Sequence, residues 1–279
     1  MKGTFYGVGV GPGDPRLMTI LAVETIRSCP VVAVPLHGYE RGVAYQIARG
    51  MIDDLDAKEC VGFRVPMSKD QNVLTEAYQR AASDLIGKLR EGKDVACLTL
   101  GDPTIYSSYI YLHRIVQASG FRTEIISGVP SFCAVSAKLG DSLVDRDEQL
   151  HVIPSSYGLH RSSQQTQAVG SENETGSEIV GGAMREKFAN ESSATLAAAL
   201  QLPGTKVLMK AGAQIGAVKA LLRQQNCSCR MVENCGMPDE KVYACLEDIP
   251  EKAGYYSVIV VKEDSTYPKK ISDSVKSML

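Results

Sequence analysis

The sequence predicts an α/β fold in two domains, an N-terminal one over 1–143 with a mostly parallel sheet and an α+β one over 144–262 with a mixed sheet. Three observations carry that prediction. Strand-length apolar segments alternate with segments of helical periodicity through the first half, which is the pattern of strand-helix-strand units. The run Val95-Ala96-Cys97-Leu98-Thr99-Leu100 is apolar or small at nearly every position, as suits a strand covered on both faces. After Gln149 the alternation breaks, and three strand-like segments, Arg230 to Asn234, Lys241 to Leu246 and Tyr255 to Val261, follow with little helix between them.

Taken in order, Thr4 to Val10 reads as a first strand. The loop Gly11-Pro12-Gly13-Asp14-Pro15 follows, and then a helix near Arg16 to Ser28 with Leu17, Ile20 and Leu21 on its inner face. Val31 to Pro35 and Val61 to Pro66 are the next strands, separated by a short helix from Val43 to Met51. Tyr78, Ala81, Ala82, Leu85 and Leu89 form a core-facing stripe on a helix. The strand ending at Leu100 runs into Gly101-Asp102-Pro103. Gly101 permits close approach to the backbone, Asp102 is placed to cap the next helix, and Pro103 fits its first turn. That helix carries Ile105, Tyr109, Leu112 and Val116 inward, with His113 beside them as an ordinary surface or core residue. Arg122 to Ser127 is a strand leading into Ser127-Gly128-Val129-Pro130-Ser131-Phe132, a second glycine loop on a neighbouring strand. Its helix stops at Gly140.

In the second half, His151 to Ser155 is a strand, and the polar stretch at about 156–190 has too few apolar residues to build a core. A helix at Ser193 to Gln201, a strand at Lys206 to Lys210 and a helix with Ile215, Val218 and Leu222 on one face lead to the three final strands. Residues 263–279 read as a tail.

Composition narrows the function. The chain has 279 residues, 44% of them hydrophobic and 22% charged, as in a globular protein. A net charge of -2 gives no overall field for nucleic acid or an anionic membrane. Apolar runs fall far short of the ~20 residues of a membrane span, and the N-terminus lacks the pattern of a signal peptide, so the expected location is the cytoplasm. The 8 cysteines are then read as reduced. Cys29, Cys60, Cys97 and Cys133 read as buried small hydrophobes. The spacing of Cys227, Cys229, Cys235 and Cys245 does not match a zinc site, so no metal is expected. Asn173, Asn190 and Asn226 begin sequons, which carry no meaning without secretion.

Two nucleotide signatures fail. Counting G-x-G-x-x-G from Gly7 or from Gly9 puts Pro12 or Asp14 at the last glycine, which disfavours a nicotinamide oxidoreductase. Gly87, Gly92 and Lys93 resemble a phosphate loop, but Asp94 replaces the hydroxyl residue and the glycines precede the strand.

Three segments together, GVGVGPGDP, LTLGDPTIYSS with SGVPSF, and CGMPDEKV with YYSVIVV, resemble the tetrapyrrole (corrin/porphyrin) methylase superfamily over nearly the whole chain outside the polar stretch. Within it, TIYSS after the Gly-Asp-Pro and the opening TFYGVGVGPGDPRLMTILAVETIRSCPVVAVP are most similar to the precorrin-2 / cobalt-factor II C-20 methyltransferases of cobalamin synthesis. Ser127 and Pro130 depart from the family's usual pattern. The resemblance implies a homodimer of two-domain α/β subunits that binds S-adenosyl-L-methionine between its domains as methyl donor. Cofactor contacts are implied at Leu100, Gly101, Asp102, Ile105, Tyr106, Ser131, Phe132, Met209 and Gly236, and a tetrapyrrole border at Gly11, Pro12, Gly13 and Asp14. Methyl transfer from a sulfonium needs alignment more than acid or base help. No general base is therefore assigned, with Asp14 the one candidate. Arg16, Arg41, Lys69, Arg146 and Lys210 are the basic residues available for substrate carboxylates. The competing readings are a methylase acting at another tetrapyrrole position and a diphthine synthase-like protein methyltransferase.

Overall fold

The computed structural model describes residues 2–37, 40–66, 68, 70–155, 196–225 and 227–262. The polar stretch, the tail, Lys69 and the three sequon asparagines lie outside the described residues. The chain divides into two compact units, one of residues 1–138 with 234–240 and the other of 139–233 with 241–279.

The first unit is built on β1 (Thr4–Gly9), β2 (Val31–His37), β3 (Glu40–Arg41), β4 (Glu59–Phe63), β5 (Val95–Thr99) and β6 (Arg122–Ile126). The parallel order is β4-β2-β5-β1-β6, and the two-residue β3 pairs antiparallel with β2. Alternate residues of the central strands serve opposite faces, as the pleat requires. Val32, Val34, Ala96 and Leu98 face α1 (Ile20–Ser28) and α2 (Val43–Arg49). Val31, Ala33, Val95 and Cys97 face α3 (Gln71–Arg90) and α4 (Tyr109–Ala118). This double covering is why the central strands are continuously apolar. The result is a three-layer sandwich of helix, sheet and helix, followed by α5 (Ser131–Leu139).

Four expectations are corrected here. Residues 15–17 form a separate 3-10 turn, and α1 starts only at Ile20 because the Thr19 side chain accepts from the Ala22 amide and caps it. The buried face is consequently Ala22, Val23 and Ile26, while Ile20 is 79% and Leu21 56% exposed. Asp102 does not cap α4, which begins at Tyr109, leaving Ile105 in the loop. β5 and β6 are not neighbours, because β1 lies between them. Cys133 is exposed, unlike the buried Cys29 and Cys97, and Cys60 is half-buried.

His113 joins a partly buried network in which its Nδ1 lies 2.9 Å from the Tyr109 hydroxyl. The second unit carries β7 (Leu150–Pro154), α6 (Leu196–Leu200), β8 (Thr205–Met209), α7 (Ile215–Gln224), β9 (Ser228–Glu233), β10 (Lys241–Tyr243) and β11 (Ser257–Lys262). Its sheet order is β10-β9-β11-β8-β7, parallel only between β7 and β8. Ile215, Val218 and Leu222 of α7 pack with Leu208, Met231 and Ile259 of the sheet.

Candidate functional site

The chain leaves β1 through Gly11 to Asp14, β5 through Leu100 to Pro103, and β6 through Ser127 to Pro130. Because β1 separates β5 from β6, the three loops lie side by side at the carboxyl ends of parallel strands, the place where open α/β sheets bind ligands. The first two are joined by backbone. The Gly101 amide donates to the Gly11 carbonyl at 2.8 Å and the Gly11 amide to the Gly101 carbonyl at 3.3 Å.

The buried Asp102 carboxylate joins the second loop to the third. Oδ1 accepts from the Thr104 amide at 2.8 Å and its hydroxyl at 2.5 Å, and Oδ2 accepts from the Gly128 amide at 3.0 Å. All these donors are protein groups, so this side chain sets the shape of the site. The approach it enforces leaves no room on Gly128, where an added Cβ would lie 2.8 Å from the Gly9 α-carbon. Thr19 adds a hydrogen bond from its hydroxyl to the Ser127 carbonyl at 3.3 Å. Thr104, Gly128 and Thr19 were not among the expected site residues; the only sequence trace of this lock is the glycine in Ser-Gly-Val-Pro.

Gly101 differs from Gly128. Its φ of +69° is left-handed, yet a Cβ there would meet nothing nearer than the Val129 carbonyl oxygen at 3.9 Å and the Ser131 amide nitrogen at 4.0 Å. Its α-carbon is therefore uncrowded although Gly101 is buried, and it lies beside the N-terminus of α5, whose first residue is Ser131 and whose second, Phe132, is buried. Leu100 packs partly into the core against α1 and α2, Ile105 is half-buried, and Tyr106 is 44% exposed with a left-handed φ of 48°. Burial raises the Tyr106 hydroxyl above its usual pKa.

Gly13 meets a segment far away in sequence. An added Cβ on Gly13 would lie 2.9 Å from the Gly236 carbonyl carbon, and one on Gly236 would lie 2.6 Å from the Asp14 amide nitrogen. The Gly236 amide donates to Glu240 at 2.7 Å, and Lys138 pairs with that same carboxylate at 2.8 Å. The Asp14 carboxylate accepts from the Arg16 guanidinium at 2.6 Å and the Arg16 amide at 2.9 Å. The Arg16 side-chain bond is the main reason its pKa sits below the ordinary value, which makes it a weak proton acceptor near neutrality.

The first unit thus gathers Gly11, Pro12, Gly13, Asp14, Leu100, Gly101, Asp102, Ile105, Tyr106, Ser131, Phe132 and Gly236. Met209 belongs to the second unit, at the end of β8, where its carbonyl accepts from the Ser155 hydroxyl at 2.8 Å.

A doubly covered parallel sheet whose three exits lie side by side next to a helix N-terminus has the arrangement in which open α/β folds hold a ligand. Residues 4–250 match the tetrapyrrole (corrin/porphyrin) methylases, and the chain belongs to that family. A probable cobalt-precorrin-2 C(20)-methyltransferase of Methanocaldococcus jannaschii is 33% identical over 157 residues, 56% of this chain and 66% of that protein. The matched part thus falls just short of two thirds of this relative's length. The cobalt-precorrin-2 C(20)-methyltransferase of Salmonella typhimurium is 26% identical over 274 residues, 96% of this chain and 99% of that one. Among solved structures, uroporphyrin-III C-methyltransferase from Thermus thermophilus complexed with S-adenosylhomocysteine has a TM-score of 0.59 at 20% identity, covering 94% of this chain and 98% of that one. At that identity the likeness concerns the fold.

Proposed function

We propose that this protein transfers a methyl group from S-adenosyl-L-methionine to carbon 20 of precorrin-2 or cobalt-factor II in corrin synthesis. The observation that carries the reading is the glycine exit of β5, where Gly101 is left-handed and, unlike Gly128, uncrowded on its α-carbon, with the Val129 carbonyl and the α5 N-terminus as its nearest groups. The names of the two C(20)-methyltransferase relatives supply the ring position.

The bound cofactor supplies a methyl group already activated on a sulfonium. The chain's residues then have to orient two ligands and exclude water, which is the larger part of catalysis when no proton needs moving early. Carbonyl oxygens around Gly101 suit a positive sulfonium, and the amides that open α5 suit a carboxylate. In this reading Leu100, Gly101, Ile105, Tyr106, Ser131 and Phe132 contact the cofactor, Asp102 keeps the shape of their loops, and Gly236 completes the proposed contacts of the first unit. Gly11 to Asp14 border the macrocycle. The homodimer and the cytoplasmic location belong to the same reading; light scattering of the purified protein measures the first.

The test is incubation with S-adenosylmethionine carrying a 13C-methyl group and, separately, precorrin-2, cobalt-factor II and uroporphyrinogen III. Label on carbon 20 of one of the first two is expected. Label at another ring carbon would make the chain a methylase of different position, and label recovered in protein would make it diphthine synthase-like.

A further inference from the structure

Three cysteines of the second unit meet in one cleft that the proposed methyl transfer does not use. The cleft, of about 240 Å³, lies between the end of α7, the start of β9 and the chain that follows β10. Cys227, Cys229 and Cys245 line it together with Arg223 and Glu247. Among the described residues no three His, Cys, Asp or Glu side chains are placed to hold a metal ion, which leaves these thiols to sulfur chemistry.

Strand register brings two of them together. β9 and β10 pair antiparallel, with Val242 opposite Val232 and Tyr243 opposite Met231. Carried two residues further, the same register sets Cys245 opposite Cys229. The pleat then puts both thiols on the face of Met231 and Tyr243, the face on which Cys229, Met231 and Tyr243 pack with Leu222 of α7. Either kind of antiparallel pair holds opposing α-carbons about 4.5–5.5 Å apart, inside the range of about 4.4–6.8 Å that a disulfide spans. Cys229 is buried, whereas Cys227 and Cys245 are half-buried. The Cys227 thiol turns to a local partner, the Gln225 carbonyl oxygen at 3.9 Å. Burial foremost, and then Cys227, Glu247 and Cys245, push the Cys229 thiol up to about 12, as anionic neighbours crowded into one cleft do.

We propose that Cys229 and Cys245 form a reversible disulfide across the base of the β9–β10 hairpin on reaction with a small-molecule disulfide such as oxidised glutathione. Cys245, the more open of the two, gives its proton to solvent and attacks one sulfur of the small disulfide. A mixed disulfide forms and one small thiolate leaves. Cys229 then gives its proton to solvent, attacks the Cys245 sulfur and displaces the second small thiolate. One intrachain S–S bond is made as the small S–S bond is reduced to two thiols. Arg223, in the same cleft, is the cationic neighbour that favours an attacking thiolate. The reaction is independent of the methyl transfer proposed above.

The experiment incubates the full chain with excess oxidised glutathione at mildly alkaline pH, digests it with trypsin without reductant and maps the products by fragmentation mass spectrometry. The expected product joins the peptides 224–230 and 242–252, with fragmentation placing the bond on Cys229 and Cys245. The exposed Cys133 carries glutathione in the same sample and shows that the reagent is active. Cys227→Ser keeps the crosslink, Cys245→Ser loses it, and Cys229→Ala loses it while retaining glutathione on Cys245. The crosslinked chain melts at a higher temperature, because the bond restrains the unfolded state, and dithiothreitol reverses the shift. In urea the thiols pair without this preference. Fragmentation of the wild-type product decides the pairing even where a variant fails to fold. A native chain with glutathione on Cys133 and no crosslink, a bond placed on Cys227 or kept in Cys229→Ala, or a crosslink formed as readily in urea overturns the proposal.

Discussion

Gly101, Gly128 and Asp102 show how differently neighbouring residues of one site respond to change. Gly101→Ala adds a methyl group at ordinary contact distance from the Val129 and Ser131 backbone and forces it into a left-handed conformation, a strain of about 1–2 kcal/mol. The variant is expected to fold, with a denaturation midpoint lowered by that amount and S-adenosylhomocysteine affinity reduced at least about tenfold by calorimetry, since the methyl group occupies the proposed ligand's place. Gly128→Ala meets backbone on two sides, and the expected result is loss of more than about 4 kcal/mol, seen as insoluble or unfolded protein. Asp102→Ala leaves the buried Gly128 amide without its acceptor. Denaturant titration should show a loss of about 3 kcal/mol, with Asp102→Asn losing less because one carbonyl oxygen remains.

At the scale of elements, β4 and α3 are tied by charge as well as by packing. Glu59 accepts from Lys88 at 2.6 Å and from Lys93 at 2.8 Å. Those two lysines, Lys88 foremost, hold its pKa below the usual 4.5. A carboxylate whose folded value is lowered contributes fully above its unfolded value and loses that contribution as pH falls from about 4.5 through the folded value. Glu59→Gln should therefore flatten the acid limb of a stability-pH curve below about pH 5. Because the pair is more than a third exposed, solvent screens it and its effect at neutral pH is small. The start of α1 is likewise set locally, by its cap and not by apolar periodicity. Apolar periodicity pointed to Leu17, Ile20 and Leu21, whereas the Thr19 cap sets the start of the helix and turns Ala22, Val23 and Ile26 inward.

Across the whole molecule, the thiols report on both units at once. Burial pushes Cys29 and Cys97 of the first unit and Cys229 of the second up to about 12. Thiolate is the reactive form, so iodoacetamide at neutral pH should modify the exposed Cys133 in the native protein and reach these three only on unfolding. Mass spectrometry of peptides along a urea series measures this, and early labelling of Cys229 alone would mean that the second unit opens first. Saturating S-adenosylhomocysteine, at about a hundred times its dissociation constant, should delay labelling of the first-unit thiols by about 2.7 kcal/mol of added stability.

Local chemistry by itself determined most elements, the parallel character of the first sheet and the mixed second sheet, because strand periodicity, double-faced burial and turn residues are written in adjacent positions. The family was legible for the same reason, since its loops are contiguous motifs. Only the tertiary structure decided which strands are neighbours, and so that β1 lies between β5 and β6 with three exits side by side. It alone turned Asp102 from a helix cap into the lock on Gly128 and brought Gly236 against Gly13. Each of these joins residues separated by 26 or more positions or depends on a backbone φ, and neither leaves a period in the chain for sequence reasoning to find.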